Sequence, residues 1–195
     1  MKNLLITGFE PFGGEKINPS WEALCQIPNE VGGFSLEKLL LPVVFDDAAS
    51  MVIAKAEKFC PNVILCIGQA GTRGAITPEL VGINLKNASI PDNNGNTPKD
   101  EPIVLGGADA HFSTLPVRKI AEKISEAGIP SHVSYSAGAF VCNNVLYTLL
   151  SHYKNTDVRV GFIHVPYCVE QGKEPNMSLD NITKALIIAI ESMDL

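Results

Sequence analysis

The sequence predicts an α/β fold, a three-layer α/β/α sandwich around a mostly parallel, mixed central sheet. Short continuous apolar runs that stop at glycine or proline alternate with longer segments of helical period, and parallel strands need such crossover connections. The clearest of these runs, Asn62-Val63-Ile64-Leu65-Cys66-Ile67 between Pro61 and Gly68, is apolar at successive positions, as a strand covered on both faces must be. With 195 residues, 46% hydrophobic and 18% charged, the chain is expected to form one domain over residues 1–195. A chain of that length buries roughly 70% of the surface its unfolded form exposes.

Leu4 to Thr7 reads as a buried strand ending at Gly8, followed by the stiff loop Gly8-Phe9-Glu10-Pro11-Phe12-Gly13-Gly14. Its two rings, Phe9 and Phe12, either line an apolar pocket or cover the sheet edge. Asn18-Pro19 has the cap and first-position proline of a helix that carries Trp21, Ala23 and Leu24 and ends by Pro28. Leu36 to Val44 is a second strand, placed near an edge by Pro42. Asp46 or Asp47 can cap a helix through Phe59 whose apolar positions Ala49, Val52, Ile53 and Ala56 keep the helical period. The run at 62–67 is the central strand, with Gly68 to Gly74 as a loop at its carboxyl end and Ile76 to Leu85 as a further strand. Asn87 to Glu101 is loop chemistry throughout, and a loop that long is usually functional or mobile. Pro116 opens a helix closed by Gly128; Ser131 to Tyr135 reads as a strand, Ala139 to His152 as a helix, and Val158 to His164 as a strand. Ser178 caps a last helix through Ser192.

Composition excludes several functions. The 15 basic and 21 acidic residues give a net charge of −6 without blocks of either sign, so neither nucleic acid nor an anionic membrane is an expected partner. No apolar run approaches the length of a membrane span. Five scattered cysteines, at 25, 60, 66, 142 and 168, lack zinc-ligand or disulfide-framework spacing, and no two histidines have metal-ligand spacing. A reducing compartment follows, and no metal or cofactor is expected. The stretch before Gly8 is too short for a signal-peptide apolar region, so the cytoplasm is the expected location.

The chemistry centres on Ser136-Ala137-Gly138-Ala139-Phe140-Val141-Cys142, where small residues lead into a helix with a cysteine near its start. Unpaired amides and the positive dipole end at such a start favour thiolate over thiol. On that ground Cys142 is expected to be a nucleophile with a pKa lowered from ~8.5 to roughly 3.5–7.5. His164 ends an apolar strand and is the candidate acid/base; Glu79 follows the loop after the central strand. If the strands ending at Ile67, Tyr135 and His164 are parallel neighbours, their carboxyl ends share one edge, and cysteine, histidine and carboxylate come together there. A buried structural cysteine and a solvated Glu79 remain the plainer alternatives.

Several ordered motifs carry a resemblance. Thr7-Gly8-Phe9-Glu10-Pro11-Phe12-Gly13-Gly14 with Asn18-Pro19-Ser20, Gly68-Gln69-Ala70-Gly71 with Ile76-Thr77-Pro78-Glu79, Ile90-Pro91-Asp92-Asn93-x-Gly95-Asn96, Ser136-Ala137-Gly138-x-Phe140-Val141-Cys142-Asn143 and Phe162-Ile163-His164-Val165-Pro166 together resemble the bacterial pyroglutamyl peptidase I family, also called pyrrolidone carboxyl peptidases. The resemblance runs from about residue 5 to the last helix. It implies an α/β/α cytosolic cysteine exopeptidase that removes an N-terminal pyroglutamyl residue from peptides, commonly as a homotetramer. By motif it implies a triad of Cys142, His164 and Glu79, with Phe9, Phe12, Ile90, Phe140 and Val141 around the substrate ring and Gln69 near its amide. Backbone amides of Val141 or Cys142, and of the Gln69 to Gly71 loop, are candidate oxyanion donors.

Two departures qualify the resemblance. Ser89 stands where the family usually has an arginine, so the alternative is a homologue that binds pyroglutamyl peptides with weakened or no turnover, unless another cation such as Arg73 substitutes. Val43 stands where relatives often have threonine in the pocket wall. A hydrolase acting on another cyclic or blocked N-terminus is the third reading.

Overall fold

A computed structural model describes residues 1–193; the last two positions of the expected 1–195 domain, Asp194 and Leu195, lie outside the described residues. In chain order the elements are β1 (Lys2–Phe9), α1 (Pro19–Gln26), β2 (Glu30–Val31), β3 (Phe34–Leu41), α2 (Asp47–Phe59), β4 (Val63–Gln69), β5 (Thr77–Pro78) and β6 (Val81–Ile83). They continue with β7 (Ala110–Phe112), α3 (Val117–Glu126), α4 (Val141–His152), β8 (Arg159–Val165), β9 (Tyr167–Cys168), a single 3-10 turn at Val169–Gln171, β10 (Asn176–Met177) and α5 (Leu179–Glu191). The main sheet has the order β2-β3-β1-β4-β8-β5. Its centre, β3-β1-β4-β8, is parallel, and the two short outer strands are antiparallel. This is the three-layer α/β fold with a mostly parallel, mixed sheet.

The two helical layers can be read from strand parity, because successive side chains leave a strand on opposite faces. Leu4, Ile6, Val63, Leu65, Ile67, Ile163 and Val165 pack with residues of α1, α3 and α5. Leu5, Ile64, Cys66, Val160 and Phe162 pack with residues of α2 and α4. Continuing each series by two places puts Gly68 and His164 on the α4 side, at the carboxyl ends of two neighbouring strands. That is where ligands bind open α/β sheets.

Local chemistry sets most element ends. Asn18 accepts from Ser20 N–H at 3.1 Å with Pro19 in the first helical position, and Ser178 accepts from Asn181 N–H at 3.3 Å. Gly128, at φ +81°, supplies the left-handed residue after α3. Asp46 precedes α2 but its side chain does not cap it. Its carboxylate takes Asn144 Nδ2 at 2.9 Å and Lys86 Nζ at 2.9 Å instead, tying α2 to the first turn of α4.

Two predicted strands are corrected. Ser131 to Tyr135 makes only isolated parallel bridges, Ile76–Ser131 and Glu79–Ser134, so it is not the neighbour of β8. The edge of β8 is taken by Thr77-Pro78, which runs antiparallel to it, and 131–134 lies outside that short strand. The expected strand from Ile76 to Leu85 breaks in two because its halves answer to different partners. Glu79 N–H bonds to Phe162 O in the sheet, whereas Val81–Ile83 pairs with Ala110–Phe112, a strand that no periodicity announced.

The two-stranded sheet of β6 and β7 is fastened to α4 by two buried side chains, Tyr147, whose OH donates to Ala108 O at 2.6 Å, and Asn143. Asn143 Oδ1 accepts from Ile83 N–H at 2.9 Å, and its Nδ2 donates to Ile83 O at 2.9 Å and Leu85 O at 3.0 Å. Truncating it leaves the part-buried Ile83 N–H and Leu85 O without this partner, while Ile83 O keeps Leu85 N–H at 2.9 Å. Asn143→Ala is therefore expected to lower stability by about 2–4 kcal/mol, measured by urea unfolding, with the Tm falling in parallel.

Candidate active site

The site lies on the α2/α4 face of the sheet, beyond the ends of β4 and β8. His164 is 4% exposed and Glu79 is fully buried, and Nδ1 of the ring lies 2.7 Å from Glu79 Oε1. Glu79 reaches this place because β5 pairs antiparallel with β8, Thr77 opposite His164, and delivers the carboxylate one residue later. A carboxylate can only accept, so Nδ1 carries the proton and Nε2 is left as the free acceptor of the neutral ring.

Arg73 completes the electrostatics. Its Nη1 donates to the same Glu79 Oε1 at 2.6 Å and to Thr77 Oγ1 at 2.7 Å, and its Nη2 donates to Ser136 O at 2.8 Å. Burial opposes the charge on Glu79, but the hydrogen bond to His164 and the Arg73 contact outweigh it and hold the carboxyl below its usual range. Burial lowers the His164 pKa, with Glu79 opposing and Arg73 reinforcing, so the resting ring at neutral pH is neutral and able to accept a proton.

Cys142 occupies the second position of α4, beside Gly68. A Cβ built on Gly68 would lie 2.7 Å from the Phe162 ring and 2.9 Å from Cys142 Sγ, so only glycine lets the sulfur settle over the strand end. Gly68 is register partner to His164. Cys142 and His164 line one cavity of about 200 Å³ together with Phe9, Phe12, Val43, Gln69, Arg73 and Phe140. Sulfur and ring share it without a direct hydrogen bond among the described residues, and such bonds commonly tighten only once substrate is bound.

The expected thiolate is corrected. Burial first, then the charge of Glu79 and the neighbouring Cys66, push the Cys142 thiol up to about 12, with Arg73 opposing. The amides of the first turn do favour the anion, but Phe140 before α4 supplies no side-chain cap and desolvation outweighs them.

The remaining predicted residues are placed unequally. Phe9, Phe12, Gln69 and Phe140 border the cavity. Phe45, not singled out from the sequence, meets Phe140 edge-on at 5.2 Å. The side chain of Val141 is fully buried in the core between α4 and the sheet, and Ile90 is 43% exposed on its loop; neither lines the cavity. Ala70 N–H donates to Val165 O at 2.8 Å, which removes it from the candidate oxyanion donors; Gly71 and the first-turn amides of α4 remain. Ser89 is exposed and lies outside the cavity, whereas Arg73 lines it.

The long loop at 87–101 is ordered around Asp92, whose carboxylate accepts from Phe45 N–H at 3.0 Å, Asn94 N–H at 2.9 Å, Asn96 N–H at 2.8 Å and Asn96 Nδ2 at 2.9 Å. This fixes the wall segment that carries Val43 and Phe45. The run of Asp and Asn with Gly95 was the signal for such a hub. Among the described residues no group of three or more His, Cys, Asp or Glu side chains could hold a metal ion.

Residues 2–194 match the family model described as "Pyroglutamyl peptidase". The chain belongs to the pyroglutamyl peptidase family. A pyrrolidone-carboxylate peptidase of Escherichia fergusonii is 47% identical, over 97% of this chain and 92% of its own. One of Lactobacillus helveticus is 44% identical over 97% of both. The crystal structure of pyroglutamyl peptidase I of Bacillus amyloliquefaciens superposes with a TM-score of 0.94 at 46% identity, covering 99% of this chain and 97% of that one. The pyrrolidone carboxyl peptidase of Thermococcus litoralis does so with a TM-score of 0.93 at 36% identity, covering 99% and 93%.

For this member of the family, two outcomes follow from the site's geometry. Gly68→Ala pushes Sγ and the Phe162 ring aside, and a misplacement near 1 Å costs about 100-fold in turnover. Because the thiol titrates far above neutrality, inactivation by iodoacetamide at Cys142 should speed up about tenfold per pH unit between pH 7 and 9. A rate already on a plateau below pH 7 would instead mark a preformed thiolate.

Proposed function

We propose that this chain is a cysteine exopeptidase that hydrolyses the peptide bond after an N-terminal pyroglutamyl residue, through Cys142, His164 and Glu79. The observation that carries this reading is the Glu79–His164 hydrogen bond of 2.7 Å at the rim of an apolar cavity that also holds the Cys142 sulfur.

A pyroglutamyl ring is an uncharged lactam, and the walls it would meet, Phe9, Phe12, Val43 and Phe140, suit its methylene edge. A free amino terminus would bring an ammonium there without a carboxylate to pair it, and desolvation would reject it. We read the scissile carbonyl as lying against Cys142. Sγ forms a bond to the carbonyl carbon while its proton passes to His164 Nε2, so the thiolate exists only during attack. The developing oxyanion takes N–H groups of the first turn of α4, which lack partners inside the helix. His164 then returns the proton to the leaving amine as the C–N bond breaks, and a thioester on Cys142 remains. Water, deprotonated by His164, hydrolyses it to pyroglutamate and the free thiol. Glu79 stays ionised throughout and keeps the ring in the productive tautomer. Arg73 supplies a cation in this site, so nothing among the described residues favours the alternative of a homologue without turnover. Following the family resemblance, we place the enzyme in the cytoplasm as a homotetramer, which sedimentation of the purified chain tests.

The test is hydrolysis of pyroglutamyl-β-naphthylamide beside prolyl- and glutamyl-naphthylamides. Only the first should be cleaved, and Cys142→Ser and His164→Ala should abolish its cleavage. Glu79→Gln, which keeps the shape but frees the tautomer, should cost roughly 10³-fold in kcat. Cleavage that survives Cys142→Ser would overturn the reading.

A further inference from the structure

Gln69 borders the cavity, and the orientation of its amide is decided outside it. Its Oε1 accepts from Gln171 Nε2 at 2.9 Å. That same Nε2 donates to Glu15 Oε2 at 3.2 Å, while Gln171 Oε1 accepts from Cys168 N–H at 3.0 Å. An amide can be turned end for end, but these partners do not allow it. A carboxylate only accepts and a backbone N–H only donates, so each end of Gln171 faces a group with a single role. Glu15 is kept as a carboxylate by its ion pair with Lys173. Gln171 must therefore donate to Gln69, and Gln69 must use its oxygen there.

What remains for the cavity is Gln69 Nε2. It has no acceptor among the described residues, and it is not among the buried polar atoms that lack a partner, which are Thr7 Oγ1, Glu79 Oε2 and Ser131 Oγ. The other amide on the wall, Asn18, has both ends in use: Oδ1 accepts from Ser20 N–H at 3.1 Å and Ser20 Oγ at 2.8 Å, and Nδ2 donates to Glu10 O at 3.0 Å. Gln69 is thus the wall amide whose nitrogen has no partner among the described residues, and it is held in one orientation.

We propose that Gln171, locked by Glu15 and the Cys168 amide, is a positioning residue that turns the Gln69 donor toward the substrate and so selects a ring bearing a carbonyl. The inference rests on the pyroglutamyl reading above, and it assigns the ring-carbonyl preference to residues 15 and 171, outside the cavity wall. Without the lock, Gln69 could present Oε1 instead, and two carbonyl oxygens would face each other at a desolvated contact.

Gln171→Glu, made in a Glu15→Gln background so that two carboxylates do not face each other across 3.2 Å, inverts the lock with little change of shape. The new carboxylate keeps its acceptor toward Cys168 N–H but forces Gln69 to donate outward, which leaves Oε1 in the cavity. The measurement is kcat/KM for two p-nitrophenyl esters, pyroglutamyl and cyclopentanecarbonyl, which differ in the ring amide. Gln171→Glu should lower the pyroglutamyl value about 10- to 100-fold, mainly through KM, and move the cyclopentanecarbonyl value less than about twofold. In a Gln69→Leu background the same substitution should add no further loss, because Gln171 acts only through Gln69. A merely structural role would lower both esters together, and that result, or an unchanged ratio, overturns the lock while leaving the pyroglutamyl reading intact. A wild-type chain inert to the pyroglutamyl ester overturns that reading, and this specificity with it.

Discussion

The parallel pairing of β4 with β8, from Val63 opposite Arg159 to Gln69 opposite Val165, is the constraint on which the site depends. In a pleated sheet the register settles which residues face each other, and parity settles which helix layer they meet. With this register Gly68 lies beside His164, and both turn toward α4. Slipping one strand by a residue would send His164 to the α1/α5 face, away from Cys142. The packing of the two faces opposes that slip, since it would also exchange Ile163 and Phe162 between two separately packed cores. Fold stability and site geometry thus rest on the same pairing.

Around that pairing the charges form one ion pair, Glu79 with Arg73, beside a neutral ring and thiol. Glu79 is buried with Arg73 and the imidazole N–H on one oxygen, an arrangement that repays part of the desolvation cost of a carboxylate. The ring and the thiol stay neutral because burial disfavours a further charge beyond that pair. A resting thiol explains how a cysteine can sit in a site shaped for a neutral ring. In the proposed reaction the proton moves only when the substrate carbonyl arrives to share the charge with the helix amides. The polar hubs outside, Asp92 behind the Val43–Phe45 wall and Gln171 behind Gln69, fix side chains and backbone that themselves carry no charge. The apolar lining stays apolar because its support is out of the cavity.

Much of this was legible in the sequence where one element answers to one local rule. The central strand, the Asn18-Pro19 and Ser178 helix starts and the Gly128 stop follow from capping and period alone. The position of His164 at a strand end was readable because an apolar run stops there. Other features depended on partners distant in sequence. Ser131 to Tyr135 has strand-like composition, but Thr77-Pro78 occupies the edge it would need. The two-stranded pairing of 81–83 with 110–112 is held by Asn143, which reads as an ordinary helix residue. The state of the half-buried thiol is not legible, because a helix start can be seen in a sequence, whereas the desolvation and the neighbouring Glu79 charge that outweigh it cannot. Gln171 left no signal, since its role exists only through contacts with residues 15, 69 and 168.

The central claim is that the sulfur of Cys142 takes the acyl group. Mass spectrometry of the chain quenched in acid during turnover of a pyroglutamyl active ester measures this directly. The predicted result is a single pyroglutamyl thioester on the peptide containing Cys142, which disappears when the substrate is exhausted. An adduct on Cys25, Cys60 or any other residue, or continuing turnover with no adduct under conditions where deacylation is slowed, would contradict the account.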